Sequence, residues 1–254
     1  MVYSNGIPRP VGMPLRARAR DAGWPPGVTA GVLTQPVVLG GLAATAGLGV
    51  SGWLAGMAVA LATGLLLAAG LRRGERADLG PADRVTLART VLVGGVTALV
   101  VEGLTGPVPA VAVVAPAAVA LVLDGVDGRV ARRTGTASTF GARFDMEVDA
   151  FLILVLSVHL VAPLGAWVLA IGGMRYAFVL AGAVWPWLCG PLPPLFARKA
   201  VAAVQGVVLA VASAGMLPPA GARAAVGAAL AALVWSFGRD TVGLARRRPV
   251  TRRG

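Results

Sequence analysis

Beyond residue 30 the chain is a series of long apolar runs, separated by short polar, glycine-bearing or proline-bearing breaks. Eight of these runs come close to the ~20 residues an α-helix needs to cross a bilayer. They cover roughly 31–49, 52–71, 85–103, 108–123, 146–162, 165–188, 200–216 and 223–243. The third and fourth are parted by Gly103 to Pro107, the fifth and sixth at Pro163, and the seventh and eighth at Pro218 and Pro219. Alanine and glycine are abundant inside the runs, and small residues let membrane helices approach closely. The pattern predicts an all-α, polytopic membrane bundle of about eight transmembrane helices. Residues 1–30 are polar and carry Arg9, Arg16, Arg18, Arg20 and several prolines. No long apolar stretch there leads into a cleavage site, so a cytoplasmic tail is expected rather than a cleaved signal peptide.

Composition excludes the main alternatives. Of 254 residues, 57% are hydrophobic and only 13% charged, and the mean hydropathy is +0.78. A soluble globule needs more polar surface, and disorder needs far lower hydrophobicity. Cys189 is the lone cysteine and His159 the lone histidine, which excludes an internal disulfide and a Cys/His zinc site. The net charge of +12 comes from arginines and one lysine, Lys199. In a soluble chain that balance would suggest nucleic acid. Among membrane spans it reports orientation, because Arg and Lys accumulate on the cytoplasmic side. With both termini inside, the inner segments 1–30, 72–84, 124–145, 189–199 and the C-terminal tail hold or border 21 of the 23 basic residues. Arg223 falls outside, and Arg175 falls within a span that otherwise lacks charge. The expected location is the plasma membrane, with no nucleic-acid partner.

Five of the 11 acidic residues lie between Asp124 and Asp149, where the fourth span emerges and the fifth begins. Ionised carboxylates at a membrane boundary are expensive unless paired, hydrated or bound to metal. Asp124 and Asp127 are three residues apart, and Asp145 and Asp149 four apart, so each pair shares a helix face. Two such helix ends facing each other bring four carboxylates together, a self-repelling cluster that divalent cations would neutralise. All-oxygen ligands suit Mg2+ or Mn2+. Glu147 points elsewhere on the helix. Gly125, Gly128 and Gly141 lie beside the acids, where a missing Cβ lets a bulky ligand near the backbone. Arg132 and Arg133 follow, and a guanidinium fork suits phosphate. Carboxylates, metal and arginine together point to a pyrophosphate substrate.

The pattern Asp124-x2-Asp127-Gly128-x2-Ala131-Arg132-x8-Gly141-x3-Asp145-x3-Asp149 resembles the signature of the CDP-alcohol phosphotransferases, with all eight fixed positions present. Pro81-Ala82-Asp83-Arg84-Val85-Thr86-Leu87-Ala88-Arg89 is similar to the stretch that opens the first core helix in that family, with Asp83 where Asn is usual. The resemblance implies a six-helix core over about 81–245, two additional N-terminal helices in 31–71 and a basic tail at 246–254. It implies displacement of CMP from a CDP-linked alcohol, usually CDP-diacylglycerol, by the hydroxyl of a small acceptor in phospholipid biosynthesis. Asp124, Asp127, Asp145 and Asp149 would hold two Mg2+ or Mn2+ ions, and Asp149 would also act as the base. Gly128, Ala131, Arg132, Gly141, Thr86 and Arg89 would contact the CDP moiety. Family members are often homodimers.

Members that use a phosphorylated acceptor employ basic residues on later helices, and Arg175, Arg198 and Lys199 are the candidates here. An arginine alone in a span is costly and faces protein or a wet cavity. Arg198 and Lys199 also fit as positive-inside anchors. His159 and the tryptophans at 53, 167, 185 and 187 lie near span ends, where interfacial packing accounts for them. Two competing readings are an aromatic prenyltransferase and a cation transporter. The first needs a second aspartate cluster, which the outlying acids Glu102 and Asp240 do not form. The second places acids at the midplane on broken helices, whereas these acids lie at a helix boundary.

Overall fold

The predicted spans are helical, the sixth in more than one piece, and most breaks between them carry proline or glycine. The computed structural model describes residues 26–72, 81–134, 139–190 and 196–246; the two tails lie outside the described residues. The long helices are α1 (Pro26–Ala46), α2 (Val50–Arg72), α3 (Pro81–Glu102), α4 (Ala110–Thr134) and α5 (Thr139–His159). A four-residue turn, α6 (Val161–Leu164), precedes α7 (Leu169–Val184), α8 (Phe196–Ser213) and α9 (Pro219–Arg246). No strand occurs among the described residues. α1 and α8 end beside Gly47 and Gly215 at φ 72° and 66°, the left-handed conformation that lets a helix stop.

The protein is an all-α membrane bundle. Its surface is apolar where a soluble protein would be polar: Leu33, Val37, Leu66, Val122, Leu180 and Trp235 are all more than half exposed. That much exposed hydrocarbon is stable against lipid, not water. Among the described residues five helices are long and apolar enough to cross a membrane, and Ala110–Val126 and Ala200–Ser213 are shorter apolar helices. α5 is apolar only beyond Asp149. Hydroxyls inside the spans turn back onto their own helix: Thr90, Thr97 and Ser157 donate to the carbonyls of Thr86, Val93 and Ile153 at 2.7–2.8 Å. With no water in the hydrocarbon, such groups must be satisfied internally.

Most helix boundaries lie within five residues of the apolar runs, and the larger departures have a local cause. α4 does not end at residue 123 but continues through the acidic positions to Thr134, and α5 starts at Thr139, ahead of residue 146. Hydropathy sees where the hydrocarbon ends; the helix runs on into the polar boundary. The sixth run, 165–188, is interrupted, because Trp185 precedes Pro186 and is driven to an extended conformation (φ −119°, ψ 88°).

α3 is the central element, packed against α1, α2, α4 and α5. Of its apolar window 61% is buried, against 17% for α1. Gly31 of α1 faces Leu87 and Gly95 of α3 faces Leu42, so α1 and α3 run parallel. α2 runs back antiparallel and packs on both, its first turn beside Glu102 at the end of α3. Glu102 accepts from the Ser51 hydroxyl at 2.8 Å and from the Gly52 amide at 3.2 Å. It thereby satisfies groups at a helix N-terminus that have no intrahelical partner. Contacts elsewhere are equally close: a Cβ at Gly172 of α7 would lie 2.5 Å from the Leu154 Cα of α5, so only glycine permits this crossing.

Candidate active site

The site forms where α3, α4 and α5 meet at one end of the bundle. Thr86, Arg89 and Val93 follow the three- and four-residue spacing of one helix face, and all three are buried. That face of α3 looks toward the end of α4, which carries Asp124, and the start of α5, which carries Asp145 and Asp149. The lower part of α3 thus delivers a cation to the point where two helices deliver acids.

Arg89 is the organising group. Its side chain is only 1% exposed. One terminal nitrogen donates to Asp124 Oδ1 at 2.8 Å. The other donates to Asp145 Oδ1 at 2.5 Å, to Asp149 Oδ1 at 2.9 Å and to the Asp145 backbone carbonyl at 3.2 Å. The three carboxylates offer ligand oxygens that all lie within 4.8 Å of one another. Their side chains are 41%, 32% and 37% exposed. The arrangement is a shallow bowl with a guanidinium in its floor and three carboxylates around its wall. Among the described residues one guanidinium faces three carboxylates, an arrangement that suits a further cation. A hard divalent ion is the natural match for an all-oxygen donor set.

The sequence-derived site residues fare differently. Asp124, Asp145 and Asp149 come together as expected. Asp127, Gly128, Ala131, Arg132 and Arg133 lie on the last turns of α4, and their side chains are outside the described residues. Gly141 is in the first turn of α5 and Thr86 is buried one turn before Arg89. Arg89, expected beside the nucleotide, lies buried inside the bundle beneath the acids. A cation in the interior of an apolar helix needs partners, and the surplus of acids 35 and more residues away was the available signal.

Two basic residues of the later helices have acidic partners. Arg175 is not alone: it pairs with Glu147 of α5 through two guanidinium nitrogens, and Met146 Sδ lies 3.0 Å from a third. Glu147 does point away from the acid bowl, as its helical position required. Arg198 of α8 grips Asp240 of α9 with Nε at 2.8 Å and a terminal nitrogen at 3.2 Å. Arg239 adds a contact to Asp240 at 3.6 Å and lies 4.9 Å over the Trp235 ring. Lys199 lies on α8 with its side chain outside the described residues. Glu102 and Asp240, the two outlying acids, are therefore a helix cap and an ion-pair partner. They form no second carboxylate cluster, and the described residues contain one such group only. His159 ends α5, ten residues past Asp149 and so about 15 Å along the helix from the bowl.

The family model described as CDP-alcohol phosphatidyltransferase matches residues 81–237, more than half of the chain, beginning at the first residue of α3. No curated protein and no solved structure matches the chain.

Proposed function

The chain belongs to the CDP-alcohol phosphatidyltransferase family, and from that premise we propose that it transfers a phosphatidyl group from CDP-diacylglycerol to the hydroxyl of a small polyol or polyol phosphate, releasing CMP. Family membership makes it a membrane-embedded enzyme that moves a phosphatidyl group from a CDP-alcohol. The choice of donor, the acceptor class and a role in phospholipid biosynthesis are the proposal. The observation that carries it is the convergence of Asp124, Asp145 and Asp149 on Arg89.

The residues fit a divalent ion: three carboxylates, one guanidinium and no nitrogen or sulfur ligand in the group. Asp124, Asp145 and Asp149 would hold it, joined by Asp127 from the same face of α4. When bound, such an ion would withdraw charge from the pyrophosphate and ease departure of CMP. Asp149, one turn beyond Asp145, is the residue we assign as base. As the acceptor oxygen forms its bond to the donor's phosphorus, the hydroxyl proton passes to the Asp149 carboxylate. The phosphorus–oxygen bond to CMP breaks and its electron pair leaves with CMP. Arg89 keeps the three carboxylates aimed into one space, so their geometry precedes substrate. Gly128, Ala131, Arg132, Gly141 and Thr86 would line the cytidine and phosphate groups.

The acceptor would approach from the later helices. Because Arg175 is matched by Glu147, the positive excess on that side comes from Arg198 and Arg239 around the single carboxylate of Asp240. A phosphorylated polyol is the acceptor such an excess favours. The charge distribution supports a site open to the cytoplasm, where acceptor and CMP are soluble, with both termini on that side. The test is direct: purified protein, CDP-diacylglycerol, Mn2+ and a panel of polyols and polyol phosphates. CMP release with one acceptor supports the reading; release with none across the panel removes it.

A further inference from the structure

The α1–α2 hairpin precedes the segment that the family model matches, yet it reaches the acidic helix. We propose that this hairpin is a positioning element for α5, acting through Phe140 seated on Gly70, and that it sets the aim of Asp145 and Asp149. The proposal rests on the reading that these carboxylates hold a metal ion.

The contact is a close one. Gly70 is buried in the last turns of α2, flanked by Leu67 and Ala68 at 1% and 6% exposure. A Cβ at position 70 would lie 2.2 Å from Cε2 and 2.5 Å from Cζ of Phe140. The ring edge therefore rests on the α2 backbone itself, in a notch that only glycine leaves open.

Phe140 is the first member of a stripe along α5. Its ring stacks on Phe144, one turn further on, with centroids 6.5 Å apart and planes 4° from parallel. Phe144, Val148 and Leu152 continue the stripe at 8%, 6% and 1% exposure. Asp145 follows Phe144 by one residue and Asp149 follows Val148 by one. Each acid is thus turned about 100° around the helix axis from the packed stripe. Whatever fixes the stripe fixes the rotation of α5 and the direction of both carboxylates.

The hairpin is well anchored for this. Glu102 of α3 holds the far end of α2 through Ser51 and Gly52. Gln35 of α1, 1% exposed, lies against Gly94 of α3, where a Cβ would meet its amide at 2.7–2.9 Å. α3 also carries Arg89. The hairpin and the guanidinium thus share one rigid support, and α5 is held from two sides.

The experiment uses the full chain in detergent with four variants. Gly70→Leu displaces the ring, Phe140→Ala removes it, and the double variant exchanges the two volumes. Gly41→Leu is the control, since a Cβ there meets nothing within 4 Å. Mn2+ binding is read by electron paramagnetic resonance, and amide exchange over 141–150 is read separately in chelator. Each single variant should weaken Mn2+ binding about tenfold, the usual scale for losing a group that orients ligands. Each should also speed exchange over 141–150. The double variant should return to within about threefold of the parent, with the control unchanged throughout. A size swap that restores metal affinity is not expected of general destabilisation. Phe140→Ala that binds Mn2+ as tightly as the parent, with unchanged exchange, overturns the proposal. A parent that binds no Mn2+ overturns the metal reading instead, and the exchange measurement in chelator still decides the hairpin's role.

Discussion

Replacing Arg89 by glutamine should destabilise the protein most when no metal is available. The substitution keeps much of the side-chain length and removes the charge. In the parent, three carboxylates share one guanidinium and lie within 4.8 Å of one another. At an effective dielectric near 20, two unit charges at that separation repel by about 3.5 kcal/mol. Removing a buried partner from an ion pair typically costs ~3–5 kcal/mol. Here the acids are 32–41% exposed, so water relieves part of that loss and about 2–3 kcal/mol is the better expectation. For a chain of this size this corresponds to a fall of roughly 4–12 °C in melting temperature. Circular dichroism melts in detergent, with EDTA and with saturating Mn2+, measure it. The deficit should be present in EDTA and should shrink by half or more in Mn2+, since a bound cation takes over the neutralisation. An equal deficit in both conditions would mean that Arg89 acts through packing alone. No deficit in either would mean that the three-way ion pair does not form.

Four further outcomes follow from the same geometry. CMP release should require a divalent ion and stop in excess EDTA; full activity in chelator would remove the metal from the mechanism. Asp149→Asn should lower turnover by ~10²–10⁴-fold, the scale of losing a general base, while nucleotide binding falls less than in Asp124→Asn; near-normal turnover would refute the base assignment. Arg198→Gln should raise KM for a phosphorylated acceptor more than it lowers kcat, and equal effects on charged and uncharged acceptors would dissociate Arg198 from the acceptor. A cysteine replacing Thr136 should react with an impermeant thiol reagent only in inside-out vesicles, and labelling of intact cells would invert the topology.

The bundle was legible because lipid imposes a simple rule on sequence. Every backbone group in hydrocarbon must be bonded within its own helix, so an apolar run near 20 residues long has essentially one fold available. Pro163 and the Pro218–Pro219 pair fall at breaks, whereas Pro186 interrupts a run read as continuous and Pro36 and Pro116 stay inside α1 and α4. Hydropathy is silent where a helix leaves the hydrocarbon, so the apolar runs stop short of the ends of α4 and α5, which the spacing of the aspartates already placed on helices. The aspartates were legible for a related reason. Carboxylates at such a boundary are costly, and the three- and four-residue spacings leave little choice of face.

What was not legible was the pairing of charges. Arg89, Arg175 and Arg198 each look like a cation seeking a ligand when read along the chain. In space each has an acidic partner 28 to 60 residues away. No local pattern encodes which helices touch, because crossings such as Gly172 against Leu154 depend on shape, not polarity. A charge balance applied span by span would have come closer. Arg89 lies inside an apolar helix, Glu147 and Arg175 sit in neighbouring spans, and Arg198 and Asp240 sit at adjoining helix ends. Each unmatched charge in a membrane span demands another, and the candidate partners were few. Among the described residues Arg89 meets three carboxylates, while Arg175 and Arg198 each pair with one. That excess of acid around a single cation, rather than the presence of any one aspartate, is what marks the bowl as a site and the other pairs as supports.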